Sequence, residues 1–259
     1  MDLGIAGKTA IVCASSKGLG RGCAIALAEA GCNLVINGRD ESSLQATADQ
    51  ARAHGVTVTP VIADVSSADG QAALLAACPA PDILINNNGG PPKREFEDLT
   101  RQNMIEGVVQ NMITPIELIQ AVVGQMAANG FGRIVNITSL SVKRPIEGLD
   151  LSSGARAGLT ALLAGVHPRF AAENVTINNL LPGFMDTDRL RGGQQASAAQ
   201  SGRPLDEIIA AQRASVPAKR FGTAEEFGQV CAFLCSTHAG YLTGQNILLD
   251  GGYYSSAFG

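Results

Sequence analysis

The sequence has no tryptophan, only three tyrosines, and no run of about 18 uncharged apolar residues. Without such a run we expect no membrane-spanning helix. Residues 1–12 lack the features of a secretory signal, so we expect a cytosolic protein. Basic residues are also in the minority, since 19 Lys and Arg face 23 Asp and Glu for a net charge of −4. Such a chain has no basic field that would attract nucleic acid or an anionic membrane, and neither partner is expected.

The six cysteines lack the paired Cys-x-x-Cys spacing of a zinc site. Cys231 and Cys235 stand four residues apart on a predicted helix, but two thiols alone do not complete a set of metal ligands. The cysteines are therefore interpreted as packing residues, and no metal is expected.

Short apolar runs alternate along the chain with longer segments of helical periodicity. The runs predict strands within residues 8–14, 33–38, 56–64, 82–87, 132–138, 175–183 and 246–252. The segments between them predict helices, including long ones over 100–128 and 150–173. Because this alternation favours parallel strands covered on both faces, we expect an α/β fold with about seven strands. The 259 residues are expected to form a single domain.

Residues 187–217 break this rhythm, being polar and rich in small residues apart from one amphipathic piece at 205–212. An insertion after a strand in such a fold lies at the carboxyl edge of the sheet, where ligands bind. We interpret it as a mobile lid over a substrate, with a surface excursion of no function as the alternative. Arg189 and Arg191 within it, like Lys93 and Arg94 earlier in the chain, either meet an anionic substrate or stay solvated.

Residues 13–22, CASSKGLGRG, follow the first predicted strand and open directly into a helix. Glycines at such a point let the backbone turn tightly and approach a pyrophosphate, and the free amides of a helix N-terminus favour anions. Gly18 and Gly20 meet this need, although their spacing is not that of the G-x-G-x-x-G fingerprint. The segment therefore predicts a phosphate-binding loop.

At this loop the sequence resembles the short-chain dehydrogenase/reductase family, whose glycine motif reads T-G-x-x-x-G-x-G. Cys13, Ala14, Gly18 and Gly20 occupy those positions, with alanine in place of the first glycine. The further family motifs follow in order as Asp64-Val65, Asn86-Asn87-Asn88-Gly89, Asn111, Ser139, Pro182-Gly183 to Thr187, and TGQNILLDGG near the end. The resemblance spans the chain and implies a single-domain Rossmann fold, a doubly wound seven-stranded parallel sheet with helices on both faces and the lid insertion near 187–217.

The resemblance also implies a nicotinamide cofactor. The cofactor-binding residues that it implies are Ser15, Ser16, Lys17, Gly18, Leu19, Gly20, Arg39, Asp64, Val65, Asn87, Gly89, Arg156, Pro182, Gly183, Met185 and Thr187. An acidic residue after the second strand would repel a 2′-phosphate, but this chain has Arg39 there, and Lys17 lies where NADP-dependent relatives often carry a cation. Two cations on one phosphate favour NADP(H), with NAD(H) as the alternative. Asp40 weakens this preference unless it serves as an N-cap.

The family's catalytic residues are Asn, Ser and Tyr-x-x-x-Lys, and two of these four positions differ here. By resemblance, Asn111 and Ser139 match directly, while Ser152 and Arg156 hold the tyrosine and lysine positions. These four residues are the expected catalytic set. A serine hydroxyl is a far weaker acid than a phenol, whose pKa is about 10, so Ser152 cannot simply replace the proton donor. Arg156 keeps a fixed cation that can hold ribose hydroxyls.

None of the three tyrosines lies near enough in sequence to restore the phenol. Tyr241 is interpreted as a packing residue, and Tyr253 and Tyr254 belong to a tail that can meet a neighbouring subunit. The proton must then come through water, from the substrate, or from Asp150, unless Asp150 is an ordinary helix N-cap.

The leading hypothesis is an NADP(H)-dependent oxidoreductase that interconverts a carbonyl and an alcohol on a small-molecule or acyl substrate. It is similar to the 3-oxoacyl-carrier-protein reductase branch of the family, with Ser139 and Ser152 polarising the carbonyl. The alternatives are an NADP(H)-binding regulator or scaffold without turnover, and an enone reductase. The resemblance further implies a homotetramer, or a dimer, assembled through the segments near 100–128 and 150–173.

Overall fold

The fold is built on one seven-stranded sheet in the computed structural model, which describes residues 1–257. In chain order the strands are β1 Thr9–Val12, β2 Asn33–Gly38, β3 Val58–Ile62, β4 Ile83–Asn86, β5 Gly132–Ile137, β6 Val175–Pro182 and β7 Asn246–Leu249. They lie in the order β3-β2-β1-β4-β5-β6-β7, and each pairing between them is parallel. The order reverses between β1 and β4, which is where doubly wound sheets bind ligands.

Helices cover both faces of the sheet. They are α1 Gly18–Glu29, α2 Glu41–Arg52, α3 Ala68–Ala77, α4 Arg101–Val108, α5 Thr114–Ala128, α6 Asp150–Ala164, α7 Asp188–Ser201, α8 Leu205–Ser215 and α9 Ala224–Cys235. Side-chain caps fix several of the starts. Ser67 accepts a hydrogen bond from the Gly70 amide at 3.1 Å, and Thr223 and Glu226 form a capping box.

The hydrophobic core lies in two layers because successive side chains of a strand point to opposite faces. Ala10 and Val12 of β1 pack in the layer under α1 and α9, whereas Ile11 between them packs in the layer under α5 and α6. The six cysteines are free thiols within these buried layers, which confirms that they are packing residues.

The predicted alternation of strands and helices is confirmed, and β2 has the predicted bounds. The helix predicted over 100–128 is instead α4 and α5 joined by a π-helical turn, Val109–Ile113. The helix predicted to reach residue 173 ends at Ala164, and a 3-10 segment, His167–Glu173, follows. Gly165 holds the C-cap position, and Pro168 has no amide hydrogen to donate to the Ala164 carbonyl, so the α-helix cannot continue.

The insertion at 187–217 consists mainly of two helices. The predicted amphipathic piece lies within α8, whereas α7 was not expected from its polar, small-residue composition. Its role as a mobile lid stays a prediction. Across residues 1–257, no helix is long and apolar enough to cross a membrane, and no group of three or more His, Cys, Asp or Glu is placed to hold a metal ion.

Four asparagines form a hydrogen-bonded ladder across the sheet. Asn86, Asn136, Asn179 and Asn246 are register partners on β4 to β7. The side-chain nitrogen of each donates to the side-chain oxygen of the next, at 2.9, 3.1 and 2.8 Å in chain order. Since all three bonds run the same way, Asn86 Oδ1 ends the ladder without a hydrogen-bond partner among the described residues.

Candidate active site

The loop after β1 depends on three residues with unusual backbone or packing requirements. Ala14 and Gly18 have φ values of +45° and +59°, a left-handed conformation that suits glycine and strains alanine. A Cβ on Gly20 would lie 2.3 Å from the Ala14 carbonyl oxygen, so only glycine lets α1 start this close to the loop. The first amides of α1 are thereby brought to the carboxyl edge of β1, where they can bind an anion.

Two serines of this loop serve mainly to position it. Ser15 is fully buried; its hydroxyl donates to the Val12 carbonyl at 2.8 Å and its amide donates to the Asn37 carbonyl at 2.7 Å. With both donors engaged, Ser15 braces the loop against β2 rather than offering a group to a ligand. The Thr47 hydroxyl donates to the Ser16 carbonyl at 3.1 Å and ties the loop to α2.

The other predicted cofactor residues gather at the same edge of the sheet. Asn87 Nδ2 donates to the Ala14 carbonyl at 3.1 Å, which joins the loops after β1 and β4. A Cβ on Gly18 would lie 3.8 Å from the Thr187 methyl carbon, which places the loop after β6 against the start of α1. Of the remaining predicted residues, Met185 and Val65 are buried and Gly89 is exposed. These remaining residues lie at the end of a strand or in the loop or helix that follows it: Leu19, Asp64, Val65, Gly89, Pro182, Gly183 and Met185.

Two exposed cations, Arg39 after β2 and Lys17 after β1, lie at this edge. The Arg39 side chain is 77% exposed, its Nη1 is 3.9 Å from Asp64 Oδ2, and Lys17 is exposed as well. The pKa of Asp64 is lowered, first by a hydrogen bond that the Ser66 hydroxyl donates at 2.6 Å. Asp40 accepts from an amide in the first turn of α2, so its expected role as N-cap is confirmed.

Asn111 lies in the π-helical turn between α4 and α5. It is buried, and its Nδ2 donates to the Gly107 carbonyl at 3.1 Å. Asn88 Nδ2 donates to the Gln110 carbonyl at 3.3 Å and so ties the loop after β4 to the same turn. Single π turns within helices often occur at functional sites, because the extra residue redirects the side chains around it.

Ser152 and Arg156 lie one turn apart on α6, and their side chains are in contact. Arg156 Nη1 donates a hydrogen bond to Ser152 Oγ, and both residues are buried. This confirms that the spacing of four residues places them on one helix face. Ser139 follows β5; its Oγ accepts from the Ser141 amide at 3.1 Å, and α6 packs against the turn Leu140–Val142 that it begins.

The site carries uncompensated positive charge. Burial, and then the charge of Arg189, lowers the pKa of Arg156 to about 10. Arg189 extends from α7 and donates to the carbonyls of Gly90 at 2.9 Å and Pro91 at 3.2 Å; burial lowers the pKa of its guanidinium too. Both arginines remain cations at neutral pH.

A cavity of about 20 Å³ lies beside Arg156, between the ends of β4 and β5 and the π-helical turn. Asn111 lines it, and so do Asn86 and Thr114, whose Oδ1 and Oγ1 atoms have no hydrogen-bond partner in the described part of the chain. A polar cavity of this size suits a single water molecule. Neither Asn86 nor Thr114 was singled out from the sequence as a site residue in its own right.

The remaining sequence-based candidates fare differently. Tyr241 was expected to pack, but its side chain is fully exposed, since it lies in a turn after the last 3-10 segment. Tyr253 contacts Phe184 edge-on, with ring centroids 5.0 Å apart. Asp150 is exposed and is the first residue of α6; Leu149 holds the N-cap position, so the N-cap interpretation is wrong. Its role as an acid stays a prediction.

Comparison with known families matches residues 13–254 to the family described as enoyl-(acyl carrier protein) reductase. The NADPH-dependent reductase BacG of Bacillus subtilis is 31% identical over 258 residues, which cover 96% of this chain and 98% of BacG. The 3-oxoacyl-[acyl-carrier-protein] reductase FabG of Aquifex aeolicus is 29% identical, over 98% of this chain and 100% of the FabG chain.

Solved structures with the same fold include two reductases. YwfH, an NADPH-dependent reductase involved in bacilysin biosynthesis, superimposes with a TM-score of 0.91 at 30% identity, over 97% of this chain and 100% of its own. L-sorbose reductase from Gluconobacter frateurii, complexed with NADPH and L-sorbose, superimposes with a TM-score of 0.92 at 25% identity. The match covers 99% of this chain and 100% of the reductase chain. The fold of this chain is therefore similar, over almost all of its length, to the folds of both reductases.

Proposed function

Because the chain belongs to the short-chain dehydrogenase/reductase family, we propose that it is an NADPH-dependent reductase that works with Ser139, Ser152 and Arg156 where the family uses serine, tyrosine and lysine. The observation that carries the proposal is the hydrogen bond from Arg156 to Ser152, which sets a polarised hydroxyl beside a fixed cation. The whole chain is proposed to act as a single domain, since one continuous sheet runs through it.

The carboxyl edge of the sheet fits a dinucleotide that carries a 2′-phosphate. BacG is named as an NADPH-dependent reductase, and L-sorbose reductase was solved with NADPH. In this chain Arg39 and Lys17 are exposed cations in the loops after β2 and β1, and Asp40 is occupied as a helix cap. Gly89 has open space around its α-carbon, which leaves room for a ligand against the loop after β4. NADP(H) is therefore expected to bind more tightly than NAD(H).

When NADPH is bound it supplies a hydride, and this chain's residues must then stabilise the negative charge that develops on the substrate oxygen. Ser152 Oγ accepts its hydrogen bond from Arg156, so its own proton is free for that oxygen. Ser139 Oγ accepts from the Ser141 amide and is likewise left with a hydrogen to donate. The Arg156 guanidinium favours the developing anion electrostatically.

Turnover survives the loss of the phenol because positioning is the larger effect. A general acid contributes about 10²–10⁴ in rate, whereas aligning the reacting groups contributes about 7–11 kcal/mol. The proton reaches the product from a water molecule in the cavity beside Arg156, where Asn86 Oδ1 and Thr114 Oγ1 offer hydrogen-bond partners. Asp150, at the exposed start of α6, is the alternative source.

A second candidate reaction is the reduction of a carbon–carbon double bond conjugated to a carbonyl. Hydride addition to the β-carbon leaves an enolate, whose oxygen needs hydrogen bonds and a cation but no strong acid beside it, and a water molecule then protonates the α-carbon. The pair of Arg156 and Ser152 meets that need, and the matched family is described as an enoyl reductase. This candidate explains the missing tyrosine more simply than carbonyl reduction does.

The experiment that tests the proposal follows NADPH consumption with ketones, 3-oxoacyl thioesters and enones as matched sets. Turnover of ketones or thioesters supports carbonyl reduction, and turnover of enones alone supports the second candidate. Tight NADPH binding without turnover on any of them indicates instead a nucleotide-binding regulator or scaffold. No affinity for either nicotinamide coenzyme by calorimetry would overturn the proposal as a whole.

The proposal includes assembly into a homotetramer, or a dimer. Met104, Ile105, Ile113 and Leu162 are large apolar side chains exposed along α4 to α6, the segments expected to meet a second copy. Burial of such a surface is a common reason for association. Light scattering of the purified chain at several concentrations measures the assembly directly, and a monomer at all of them would contradict it.

A further inference from the structure

Two arginines that have no acidic partner among the described residues lie close enough for the charge of Arg189 to lower the pKa of Arg156. Arg156 is only 9% exposed, and its guanidinium makes its side-chain hydrogen bond with neutral Ser152. Arg189 bonds only to main-chain carbonyls. In the part of the chain that the structure describes, the ion pairs all use other cations. Burying a cation without a counter-charge is costly, and a second cation nearby adds to the cost, so a bound anion would stabilise the pair.

Arg189 holds a position that suits ligand binding. Its guanidinium bridges from α7 to the loop after β4, with bonds of 2.9 and 3.2 Å to Gly90 and Pro91, and so closes over the edge of the sheet. A guanidinium has five N–H donors, so these two bonds leave others for a ligand. Arg189 is exposed whereas Arg156 is buried, so a ligand that enters from solvent reaches Arg189 first.

The rim of the same site is rich in cations, although the chain as a whole carries a net charge of −4. The loops 88–95 and 139–149 touch each other where the Arg94 amide donates to the Gly148 carbonyl at 3.1 Å. Together they carry Lys93, Arg94, Lys143 and Arg144, against Glu95 and Glu147. A local excess of positive charge in a negatively charged protein attracts anions to this mouth.

We propose that the substrate carries a carboxylate, which binds to Arg189 at the mouth of the site in the combined field of Arg189 and Arg156. The cofactor's 2′-phosphate does not explain Arg156, because Arg39 would hold that phosphate beside β2, whereas Arg156 lies beyond β4. A planar carboxylate matches the fork of a guanidinium. The inference rests on the proposed function, since it names that reductase's substrate class.

The test uses the full chain saturated with NADP⁺, which lets ligands bind without turnover. Three acids and their methyl esters serve as matched probes in calorimetric titrations: phenylpyruvate, levulinate and benzoylacrylate. We expect the acid of at least one pair to bind about tenfold to a hundredfold tighter than its ester, the range for one charge-assisted hydrogen-bonded contact. Arg189→Gln is expected to abolish this preference for the acid.

Arg203→Gln is the matched control, because it removes the same charge from the insertion at a residue that pairs with Glu207 at 3.6 Å, away from the site. It is expected to keep the preference. If Arg189 only held the insertion closed, Arg189→Gln would weaken acid and ester equally, and that result overturns the inference. Equal binding of acids and esters, no binding of any acid, or binding of phenyl phosphate alone overturns it too. Failure of NADP⁺ to bind would instead refute the proposed function.

Discussion

Replacing Ala14 with glycine is expected to stabilise the protein, although alanine-to-glycine changes usually do the opposite. Ala14 has a φ of +45°, in the left-handed region. That conformation costs an L-residue about 1–2 kcal/mol and costs glycine almost nothing. The extra freedom of glycine in the unfolded chain costs about 0.5–1 kcal/mol. The difference lies between about 0 and 1.5 kcal/mol, so Ala14→Gly is predicted to raise the free energy of unfolding by about 0.75 kcal/mol, the middle of that range.

Urea unfolding followed by circular dichroism at fixed protein concentration measures this change. For a chain of this size, about 1 kcal/mol shifts Tm by roughly 2–4 °C, so the thermal transition should rise by about 1–4 °C. The matched control is Ala46→Gly on the exposed face of α2, where the same chemical change occurs in a right-handed helix. Ala46→Gly is expected to lower stability by about 1 kcal/mol.

The two variants should therefore move in opposite directions. If Ala14→Gly destabilises the protein as much as Ala46→Gly does, backbone strain at Ala14 is not a significant part of the folded-state energy. The packing of the Ala14 methyl group would then outweigh the strain of its dihedral angle, and the reasoning from φ would be refuted.

Three further outcomes test the site. Arg39→Asp should invert the coenzyme preference and lower kcat/KM for NADPH by about tenfold to a hundredfold, since a charge-assisted contact becomes a repulsion; an unchanged NADPH to NADH ratio would place the 2′-phosphate elsewhere. Ser139→Ala should lower kcat by a factor of about 10²–10³, which is the effect of losing one hydrogen-bond donor to the substrate oxygen. Ser152→Ala should lower kcat by less, because Arg156 can then donate to that oxygen directly. A larger loss of kcat in Ser152→Ala than in Ser139→Ala would make Ser152 the main donor. The pKa of Arg156 is lowered to about 10, so its guanidinium is charged below that pH. We therefore expect kcat/KM to stay flat between about pH 6 and 9 and then to fall as rising pH removes the charge. A step in kcat/KM near neutral pH would reveal another titrating group.

Much of the fold could be predicted because parallel strands buried on both faces appear in the sequence as unbroken apolar runs between turns. The run at 33–38 has the bounds of β2 itself, and the glycine loop follows β1 as its residues require. The contact between Ser152 and Arg156 was also predictable, since a separation of four residues within one helix brings side chains together.

Features that depend on contacts distant in sequence could not be predicted in this way. The π-helical turn around Asn111 has no signal in hydrophobic periodicity, because one added residue barely changes the pattern. The contact of Arg189 with Gly90 joins segments 99 residues apart. The residues around Tyr241 likewise gave no sign that its side chain is exposed to solvent, and it was expected to pack.

The asparagine ladder has a directional consequence for the chemistry. Its three amide bonds point the same way from β4 to β7, so their dipoles add, and the negative end of the array is Asn86 Oδ1 at the cavity beside Arg156. A water molecule there would turn one hydrogen toward this oxygen, which fixes its orientation for the other. Replacing Asn246 on β7 would leave Asn179 Nδ2 without its hydrogen-bond acceptor, which costs about 1–3 kcal/mol of folding free energy. The loss would also reduce the summed dipole of the ladder from the end opposite Asn86. Under the proposed mechanism, a residue of the outermost strand would thus tune proton delivery without approaching the substrate.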